Sequence, residues 1–352
     1  MKTALVTGSG GLVGSQAVEF FCGLGWNVIG LDNNYRKLFF GEGGDVSWNI
    51  ERLKSLYPTY IHCEFDISSS EIDKLFRDFK NSMFSDVKCL IHCSAQPSHD
   101  CAVKDPKLDF NVNSYGTLNI LEAYRKYFPD AVFIYTSTNK VYGDLHQVKV
   151  FEKETRWEPV ENDYIKGIDE NFPVDQSLHS LFGASKLSAD IYCQEYGRYF
   201  NLPIGIFRGG CLTGRNHSGV KLHGFISYLI KCAVSGELYC INGYKGKQVR
   251  DNIHSIDLIN AFYEFYSNPK CGEVYNIGGG SYSNISIVEA IEKIETVINK
   301  KMNISYSSSN RIGDHIWYIS DVSKFQRDYP NWNYTFNMDD IIDDIVRKEW
   351  SQ

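Results

Sequence analysis

An aromatic ring stands four residues before a lysine in the segment FGASK, residues 182–186. On a helix, that spacing brings the two side chains to one face, about one turn apart. If the ring were that of a tyrosine, the lysine could hold its phenol ready to accept a proton from a sugar alcohol. The ring belongs to Phe182, which has no hydroxyl. The segment is therefore either an ordinary helix start or a redox site that lacks its usual base.

Three hydroxyl side chains in a row, Thr136, Ser137 and Thr138, close the segment AVFIYTST. The carboxyl ends of strands in an open parallel sheet face the crevice in which ligands bind. These hydroxyls are therefore well placed to hold a substrate oxygen, and Lys186 follows on the next long helical pattern.

A glycine-rich turn, TGSGGLVG at residues 7–14, follows the first apolar run and opens a helical pattern. Its glycines are spaced so that the backbone can turn tightly and approach a pyrophosphate, and the helix start supplies amide donors. Asp32 ends the second apolar run, as expected of a carboxylate that binds the adenosine ribose and repels a 2′-phosphate. The pattern predicts NAD rather than NADP, although Arg36 lies close enough to soften that preference.

Short apolar runs alternate with helical patterns in the first half of the chain, with strands at 3–7, 27–32, 60–65, 88–93 and 131–136 and helices at 12–24, 71–80 and 114–127. That order is typical of βαβ units. A helix over about 180–199 and a sixth strand over 204–208 follow. We therefore predict an α/β fold class, a Rossmann-type doubly wound parallel sheet.

After residue 210 the alternation gives way to short apolar helices and Gly-rich turns, at 222–234, 256–267 and 287–298. This change predicts a smaller, α-rich C-terminal substrate lobe, interleaved in sequence with the sheet domain. We expect the NAD-binding domain to comprise 1–205 and 242–270, and the nucleotide-sugar-binding lobe to comprise 206–241 and 271–352.

The bulk composition describes a soluble globular chain of 352 residues, 43% hydrophobic and 22% charged, with a net charge of −7. This charge gives no nucleic-acid footprint. The ten scattered cysteines form no Cys-x-x-Cys pair, which indicates free thiols in a reducing cytoplasm rather than disulfides or a metal site. No apolar run approaches the ~18–20 residues of a membrane span, and the first glycines come too early for a signal peptide. We expect a cytoplasmic protein that binds neither nucleic acid nor membrane.

Five motifs, TGSGGLVG, STNKVYGD, FGASK, GKQVRD and VYNIGG, together resemble the extended short-chain dehydrogenases/reductases that act on nucleotide sugars. Within that family, STNKVYGD and GKQVRD are most similar to the branch that epimerises C2 of CDP-sugars. The resemblance implies NAD as cofactor, a nucleotide-diphosphate sugar as substrate, and a homodimer formed by helices at about 110–127 and 183–199. It also implies transient oxidation to a keto-sugar, which turns in the site and takes hydride back on its other face.

Residue roles follow from the same resemblance. Thr138 would hydrogen-bond the hydroxyl being oxidised, while Lys186 would hold the nicotinamide ribose and lower the pKa of the tyrosine that removes the proton. Sugar 4,6-dehydratases of the superfamily carry an Asp-Glu pair where this chain has Asn139 and Lys140, so we do not expect dehydration.

The expected cofactor contacts are Gly8, Gly10, Gly11, Leu12, Val13, Gly14, Asp32, Asn33, Arg36, Asp66, Ile67, Ala95, Gln96, Thr136 and Lys186. The expected substrate contacts are Gln96, Thr138, Asn139, Lys140, Cys211, Phe225, Arg250, Arg311 and Asp314. Asp66 is either an adenine contact or a helix N-cap, and Phe225 serves either base stacking or an apolar helix face. The two arginines would bind the diphosphate, or else form surface ion pairs. No metal ligand is expected.

Phe182 leaves the identity of the base open. Another side chain takes the proton, or a tyrosine has been changed to phenylalanine to trap substrate, or the protein binds nucleotide sugars without turnover. Tyr164, in the loop ENDYIKGIDE, is the first replacement base to test. Further possibilities are Asp169, Glu170, His179, Cys211 and a relay from Lys186 through Thr138 or the ribose hydroxyl.

The function predicted from the sequence is thus NAD-dependent epimerisation of a nucleotide-diphosphate sugar, at C2 of a CDP-sugar. A UDP-sugar 4-epimerase, or a related nucleotide-sugar oxidoreductase, is the second enzymatic interpretation. The third interpretation, of a different class, is a non-catalytic nucleotide-sugar-binding protein. It is suggested by the missing hydroxyl at Phe182.

Overall fold

The computed structural model describes residues 1–221, 223–309 and 314–350. It contains two compact units that are interleaved in sequence. The first unit is Met1–Val141, Leu181–Arg208 and Ile259–Tyr275, and the second is Tyr142–Ser180, Gly209–Leu258 and Asn276–Gln352. Residues 142–180, which the expected domain limits place in the cofactor half, group with the second unit. The assignment of NAD and nucleotide-sugar binding to particular segments stays a prediction.

The strands, in chain order, are β1 (Thr3–Thr7), β2 (Asn27–Leu31), β3 (Tyr60–Cys63), β4 (Val87–His92), β5 (Val132–Thr138), β6 (Val150–Glu152), β7 (Trp157–Pro159), β8 (Ile204–Gly209), β9 (Cys211–Thr213), β10 (Tyr239–Asn242), β11 (Val249–His254), β12 (Glu273–Ile277), β13 (Asn284–Ser286), β14 (Ile304–Ser307) and β15 (Trp317–Tyr318).

The α-helices are α1 (Leu12–Gly23), α2 (Tyr35–Phe40), α3 (Ser47–Leu56), α4 (Ile72–Lys80), α5 (His99–Lys104), α6 (Pro106–Phe110), α7 (Gly116–Tyr127), α8 (Ser180–Tyr199), α9 (Phe225–Ser235), α10 (Ser255–Ser267), α11 (Ile287–Ile298), α12 (Ser323–Asp328) and α13 (Met338–Trp350). A π-helical turn over Asn111–Tyr115 joins α6 to α7, and Asn139–Tyr142 and Asn162–Tyr164 form 3-10 turns.

A central sheet organises the first unit, with the strand order β12-β8-β5-β4-β1-β2-β3. The pairs from β3 to β5 are parallel. All residues of β1 and β2 are buried, as expected of strands covered on both faces, and this explains why they read as continuous apolar runs. The predicted Rossmann-type α/β fold class is confirmed, because the chain crosses over between parallel strands through helices.

The predicted third strand is two residues shorter than expected. The apolar run covers residues 60–65, whereas β3 ends at Cys63. The Cys63 carbonyl accepts the amide of Asp32, the residue after β2, at 3.2 Å. The pairing of β2 with β3 thus ends at Leu31 and Cys63, and the chain beyond β3 turns toward α4 instead of continuing the sheet.

The second unit mixes short strands with helices rather than being chiefly α-helical. Strands β9, β11, β13 and β15 form one sheet, β10 and β14 a second, and β6 and β7 an antiparallel pair. Strands of two to six residues give too few apolar positions to stand out in the sequence. Its apolar core lies between α9, α11 and α13, with members such as Leu229, Ile294 and Ile342.

A membrane span would need a helix longer and more apolar than any that the described residues form.

Candidate active site

The glycine turn after β1 has room only for hydrogen at two positions. Gly8 adopts a φ of +69°, and a Cβ at Gly14 would lie 2.1 Å from the Gly8 carbonyl oxygen. Helix α1 begins directly after Gly11. Among the described residues, no side chain caps the start of this helix, and its first turn carries no acidic residue. Its first amide groups and the positive end of its dipole are thus available to an anion such as a pyrophosphate.

Asp32 closes this turn from the side of β2. One carboxylate oxygen accepts the Gly10 amide at 2.9 Å, and the other accepts the Asn34 amide at 2.8 Å. Burial raises the pKa of Asp32, while the two amides and the charges of His62 and Arg36 act in the opposite direction. Asn49, which no sequence pattern marked, donates its side-chain amide to the Gly10 carbonyl at 2.9 Å. Two polar side chains therefore fix the peptide groups of the turn.

The residues after β2 and β3 form turns beside Asp32. Asn33 accepts the amide of Tyr35 at 3.2 Å, and the Arg36 guanidinium lies 4.8 Å from the centre of the Phe40 ring. Burial lowers the pKa of Arg36 to about 10, although Asp32 opposes this shift. Asp66 accepts the amide and the hydroxyl of Ser68, at 2.8 and 2.7 Å.

The structure distinguishes between the two interpretations of Asp66. The N-cap position of α4 is Glu71 rather than Asp66, so the N-cap interpretation of Asp66 is wrong. The Ile67 side chain belongs to the apolar core. Leu12 and Val13 begin α1, and Ala95 lies half-buried after β4. Contacts of these residues with a cofactor stay predictions.

Gln96 braces the loop after β4. Its side-chain nitrogen donates to Asp109 at 2.7 Å and to the Ser98 carbonyl at 2.9 Å, and its side-chain oxygen accepts the Ser98 amide at 2.5 Å. The Gln96 amide in turn donates to the side chain of Asn113 at 2.8 Å. Both ends of this buried side chain therefore have partners within the chain.

The end of β5 alternates its side chains between two environments. Thr136 and Thr138 are half-buried, whereas Ser137 is buried and donates to Asp190 at 2.5 Å. The Lys186 ammonium donates to the Thr136 carbonyl at 2.9 Å, and this contact joins α8 to the strand that carries Thr138. Burial lowers the pKa of Lys186 to about 8, against the opposing charge of Asp190.

A buried ion pair, which the sequence did not reveal, lies one turn beyond Lys186. Both carboxylate oxygens of Asp190 accept from the Arg208 guanidinium, at 2.9 and 3.1 Å. Asp190 is four residues after Lys186, so the helical spacing on a buried face was the one available signal. Together with Ser137, the pair joins β5, α8 and β8.

Phe182 is buried on α8, and its ring contacts the imidazole of His99. The two ring centroids are 5.0 Å apart with an interplanar angle of 63°. His99 begins α5 and is half-buried. No motif predicted this neighbour, because the loop that precedes α5 carries no periodic pattern.

Asn139 and Lys140 follow β5 in the 3-10 turn. Asn139 is buried, and its side-chain oxygen accepts the Thr138 hydroxyl at 3.4 Å. The Lys140 amide donates to the same hydroxyl oxygen at 3.3 Å. The Thr138 hydroxyl is therefore held by the side chain of Asn139 and the backbone of Lys140.

The predicted diphosphate and ribose contacts come together in the second unit. The Arg250 guanidinium donates to Asp314 at 2.6 Å and to the Val249 carbonyl at 2.7 Å, so it is held by a carboxylate and by backbone. Arg311 lies outside the described residues. Phe225 begins α9 beside its apolar core, and Cys211 begins β9.

The replacement bases proposed from the sequence lie in the second unit, except for Lys186 and Thr138 of the proposed relay, which belong to the first. Tyr164 lies in the 3-10 turn over Asn162–Tyr164, and its ring centroid is 6.2 Å from that of Phe172. Glu170 accepts the Asn276 amide at 2.7 Å, and His179 contacts the Ser177 carbonyl through Nδ1 at 2.8 Å. Asp169 accepts amide groups of Asn171. These contacts give Glu170 and His179 bracing roles in their loops.

Residues 4–278 match the model of the NAD dependent epimerase/dehydratase family. CDP-paratose 2-epimerase of Salmonella typhi is 31% identical over 328 residues, which cover 91% of this chain and 91% of that protein. dTDP-glucose 4,6-dehydratase of Escherichia coli is 28% identical, over 92% of this chain and 86% of that protein.

Solved structures show the same fold. A tyrosine-to-phenylalanine mutant of UDP-glucuronic acid 4-epimerase from Bacillus cereus, in complex with UDP-4-deoxy-4-fluoro-glucuronic acid and NAD, has a TM-score of 0.78 at 23% identity, covering 100% of this chain and 99% of that one. UDP-glucose 4-epimerase of Thermus thermophilus, in complex with NAD, has a TM-score of 0.78 at 22% identity, with 99% of each chain covered. The predicted family resemblance and the predicted cofactor, NAD, are confirmed. The chain therefore belongs to the NAD dependent epimerase/dehydratase family.

Proposed function

We propose that this chain is an NAD-dependent epimerase that inverts C2 of a CDP-sugar through a transient keto-sugar. The main support is its 31% identity with CDP-paratose 2-epimerase over 91% of both chains. The site adds chemical support, because the buried Lys186 donates to the Thr136 carbonyl near the end of the strand that carries Thr138.

The first unit offers a fitting seat for NAD. The turn from Gly8 to Gly14 would take the pyrophosphate, since it has uncapped amide donors and no room for a side chain at Gly8 or Gly14. Asp32 would accept the adenosine ribose hydroxyls, because a carboxylate has about four lone-pair sites and two are used by amides. When bound, NAD supplies the hydride acceptor and donor of the reaction.

Thr138 and Lys186 act on the substrate oxygen. The Thr138 hydroxyl would orient the sugar alcohol, and its own position is set by Asn139 and the Lys140 amide. With a pKa lowered to about 8, Lys186 still carries its proton at pH 7. Its positive charge would stabilise the negative charge that develops on the oxygen.

Arg250, Asp314 and Arg311 would bind the nucleotide part of the substrate. A guanidinium that is held by a carboxylate and by backbone carbonyls is oriented before ligand arrives, which limits the cost of ordering it on binding. Arg250 would contact the diphosphate with Arg311, while Asp314 would bind the nucleotide ribose. Phe225 and Cys211 would line the base and sugar.

A 4,6-dehydratase is disfavoured although such enzymes are among the relatives. Elimination of water needs an acid and a base beside the sugar, and this chain has Asn139 and Lys140 where the acidic pair of those enzymes would stand. A second candidate is a UDP-sugar 4-epimerase, because a putative UDP-glucose 4-epimerase of Methanocaldococcus jannaschii is 28% identical over 83% of this chain.

A panel of CDP-, UDP- and GDP-sugars, incubated with the purified protein in deuterated water and followed by NMR, tests the proposal. We expect a CDP-sugar to be inverted at C2 with its carbon-bound hydrogen retained. Inversion at C4 of a UDP-sugar would establish the second candidate. Solvent deuterium at the inverted carbon would instead indicate enolisation, and binding without turnover of any sugar would establish a non-catalytic binder.

Lys186→Met tests the role of the lysine in the same assay, with Lys74→Met as its matched control. Lys186→Met removes the ammonium from the site, so turnover should fall by about 10²-fold or more. Lys74→Met removes an exposed ammonium from α4 and should leave turnover unchanged. Equal activity of both variants would show that turnover does not depend on the site described here.

Assembly and compartment complete the proposal. The homodimer would form through α7 and α8, where large apolar side chains are exposed, namely Tyr115 directly before α7 and Ile191, Tyr192 and Tyr199 on α8. All ten cysteines are free thiols, which supports a reducing compartment such as the cytoplasm.

A further inference from the structure

The side chain that meets Phe182 is itself a possible proton acceptor. The His99 and Phe182 rings meet edge to face with their centroids 5.0 Å apart, an arrangement that aromatic pairs favour. Neutral imidazole accepts a proton on one ring nitrogen, and histidine is the side chain most often used in general acid–base catalysis. The position that lacks a phenol therefore has a titratable ring directly beside it.

A buried polar network connects the loop that precedes His99 to the helix that carries Phe182. The side chain of Asn113 donates to Asp109 at 3.1 Å and to the Ser185 hydroxyl at 3.0 Å. Gln96 also donates to Asp109, and Ser185 follows Phe182 by three residues on α8. These hydrogen bonds hold the loop before His99 in place against α8.

The start of α5 is held as well. Ser98, the residue before His99, caps α5 by accepting the Cys101 amide at 3.1 Å. Ser98 also gives its own amide to Gln96 at 2.5 Å. The backbone that carries His99 is therefore fixed on both sides, as a proton-accepting residue requires.

We propose that His99 accepts the proton that the tyrosine accepts in other family members, with Phe182 serving as the apolar surface against which the imidazole is positioned. The proposal rests on the proposed epimerase function. The O–H bond of the sugar alcohol breaks and an N–H bond forms on His99, which becomes an imidazolium. The carbon-bound hydrogen would leave with its electron pair as hydride to bound NAD, the oxidant of this family, while the electron pair of the broken O–H bond completes the carbonyl. On the return, the imidazolium gives the proton back.

Three variants test this role through turnover of the CDP-sugar. His99→Ala should lose about 10²–10⁴-fold in kcat, the usual contribution of a positioned base. Adding imidazole to His99→Ala should restore part of the activity, because the removed ring leaves space for it. Phe182→Tyr in the His99→Ala background should also recover activity, since it supplies the phenol that other family members use.

Chemical labelling gives a readout that does not depend on turnover. Diethyl pyrocarbonate modifies accessible imidazoles, and peptide mass spectrometry locates the modification. Labelling of His99 should fall when NAD and CDP-glucose are both present. His146, which is exposed and contacts Asp144, should be labelled equally with and without them. Melting temperatures and NAD content show whether each variant has folded.

Several results would overturn the proposal. If His99→Ala folds and keeps its kcat within about threefold of the wild type, His99 is not the base. If Tyr164→Phe loses turnover instead, Tyr164 has that role. Loss of activity that neither imidazole nor Phe182→Tyr restores would mean a structural role. If the wild type turns over no sugar, the proposed epimerase function fails. If the labelling of His99 is the same with and without NAD and CDP-glucose, the imidazole does not face the ligands, and the proposal for His99 fails as well.

Discussion

Gly14 shows how tightly the turn around the pyrophosphate seat is built. A methyl group there would lie 2.1 Å from the Gly8 carbonyl oxygen, so the turn would have to shift. We expect Gly14→Ala to weaken NAD binding by roughly tenfold or more, since overpacking by one methyl group typically costs about 1–3 kcal/mol. Isothermal titration with NAD measures the change.

Gly23→Ala, at the other end of α1, is the matched control. A Cβ at Gly23 has nothing within 4 Å, so this variant should bind NAD as the wild type does. Equal affinities for the two variants would show that the turn adjusts without cost and that its glycines do not define the seat.

Lys186 links a buried charge to the pH dependence of stability. Its pKa is lowered by burial to about 8 from the ordinary 10.5, so between these pH values the unfolded chain binds the proton and the folded chain does not. The free energy of unfolding contributed by this group therefore rises with pH across that window, by about 3 kcal/mol in total. Below pH 8 the full cost of burying the ammonium is present.

The difference between Lys186→Met and the wild type isolates this effect. In NAD-free protein, the stability advantage of Lys186→Met over the wild type should shrink as pH rises from 8 to 10.5, measured by urea unfolding at each pH. Lys74→Met, which removes an exposed ammonium, measures the background of a lost surface charge. A constant difference for Lys186→Met would contradict a lowered pKa.

Side chains that hold the site were hidden because their role is set by distant partners. Asn49 has no motif, and its hydrogen bond to Gly10 spans 39 positions. His92 reads as part of an apolar run, yet its ring lies between the hydroxyls of Thr7 and Thr117, at 2.7 and 3.0 Å. Burial lowers the pKa of His92 to about 3, so it is a neutral structural group. In contrast, Asp32 follows a strand at a spacing that chemistry requires, so the sequence predicted its position.

At the scale of elements, one buried ion pair joins β5, α8 and β8. Asp190→Ala would leave the Arg208 guanidinium buried without its carboxylate and remove the acceptor of Ser137. Loss of one partner of a buried pair typically costs about 3–5 kcal/mol, so we expect that decrease in the free energy of unfolding. Denaturant unfolding measures it.

Two further variants show whether the cost comes from the unpaired charge. Glu195→Gln breaks an exposed pair with Arg198 on the same helix and should cost at most about 1 kcal/mol. Asp190→Leu combined with Arg208→Met removes both charges and should recover much of the loss. If the double variant is no more stable than Asp190→Ala, the cost arises from packing instead.

Elements with strong periodicity were predictable, and the connecting regions were not. The predicted helix over 180–199 coincides with α8, and the run at 3–7 coincides with β1, because each is long or fully buried. The segment 142–180 holds only the short strands β6 and β7 and a 3-10 turn, so it has no periodic signal. Its grouping with the second unit depends on tertiary contacts such as the hydrogen bond from Tyr142 to Asn276.

At the scale of the whole molecule, α7 and α8 present the surface that we expect to form the homodimer. The two helices lie side by side, since the Tyr196 hydroxyl donates to Glu122 at 2.5 Å and the Arg125 guanidinium lies 4.5 Å from the Phe200 ring. Large apolar side chains remain accessible there, with Tyr192 46% exposed and Tyr199 83% exposed. Burying them in a second copy would remove this apolar area from water.

Sedimentation equilibrium measures the association directly. The wild type should have about twice the chain mass of 40.2 kDa, and Ile191→Glu should sediment as a single chain, because it places a charge in the middle of the apolar surface. Met83→Glu introduces the same charge at an 82% exposed residue that belongs to neither α7 nor α8, and it should remain dimeric. A wild type that is monomeric at micromolar concentration would contradict the homodimer, whereas a dimer unaffected by Ile191→Glu would place the interface on another surface.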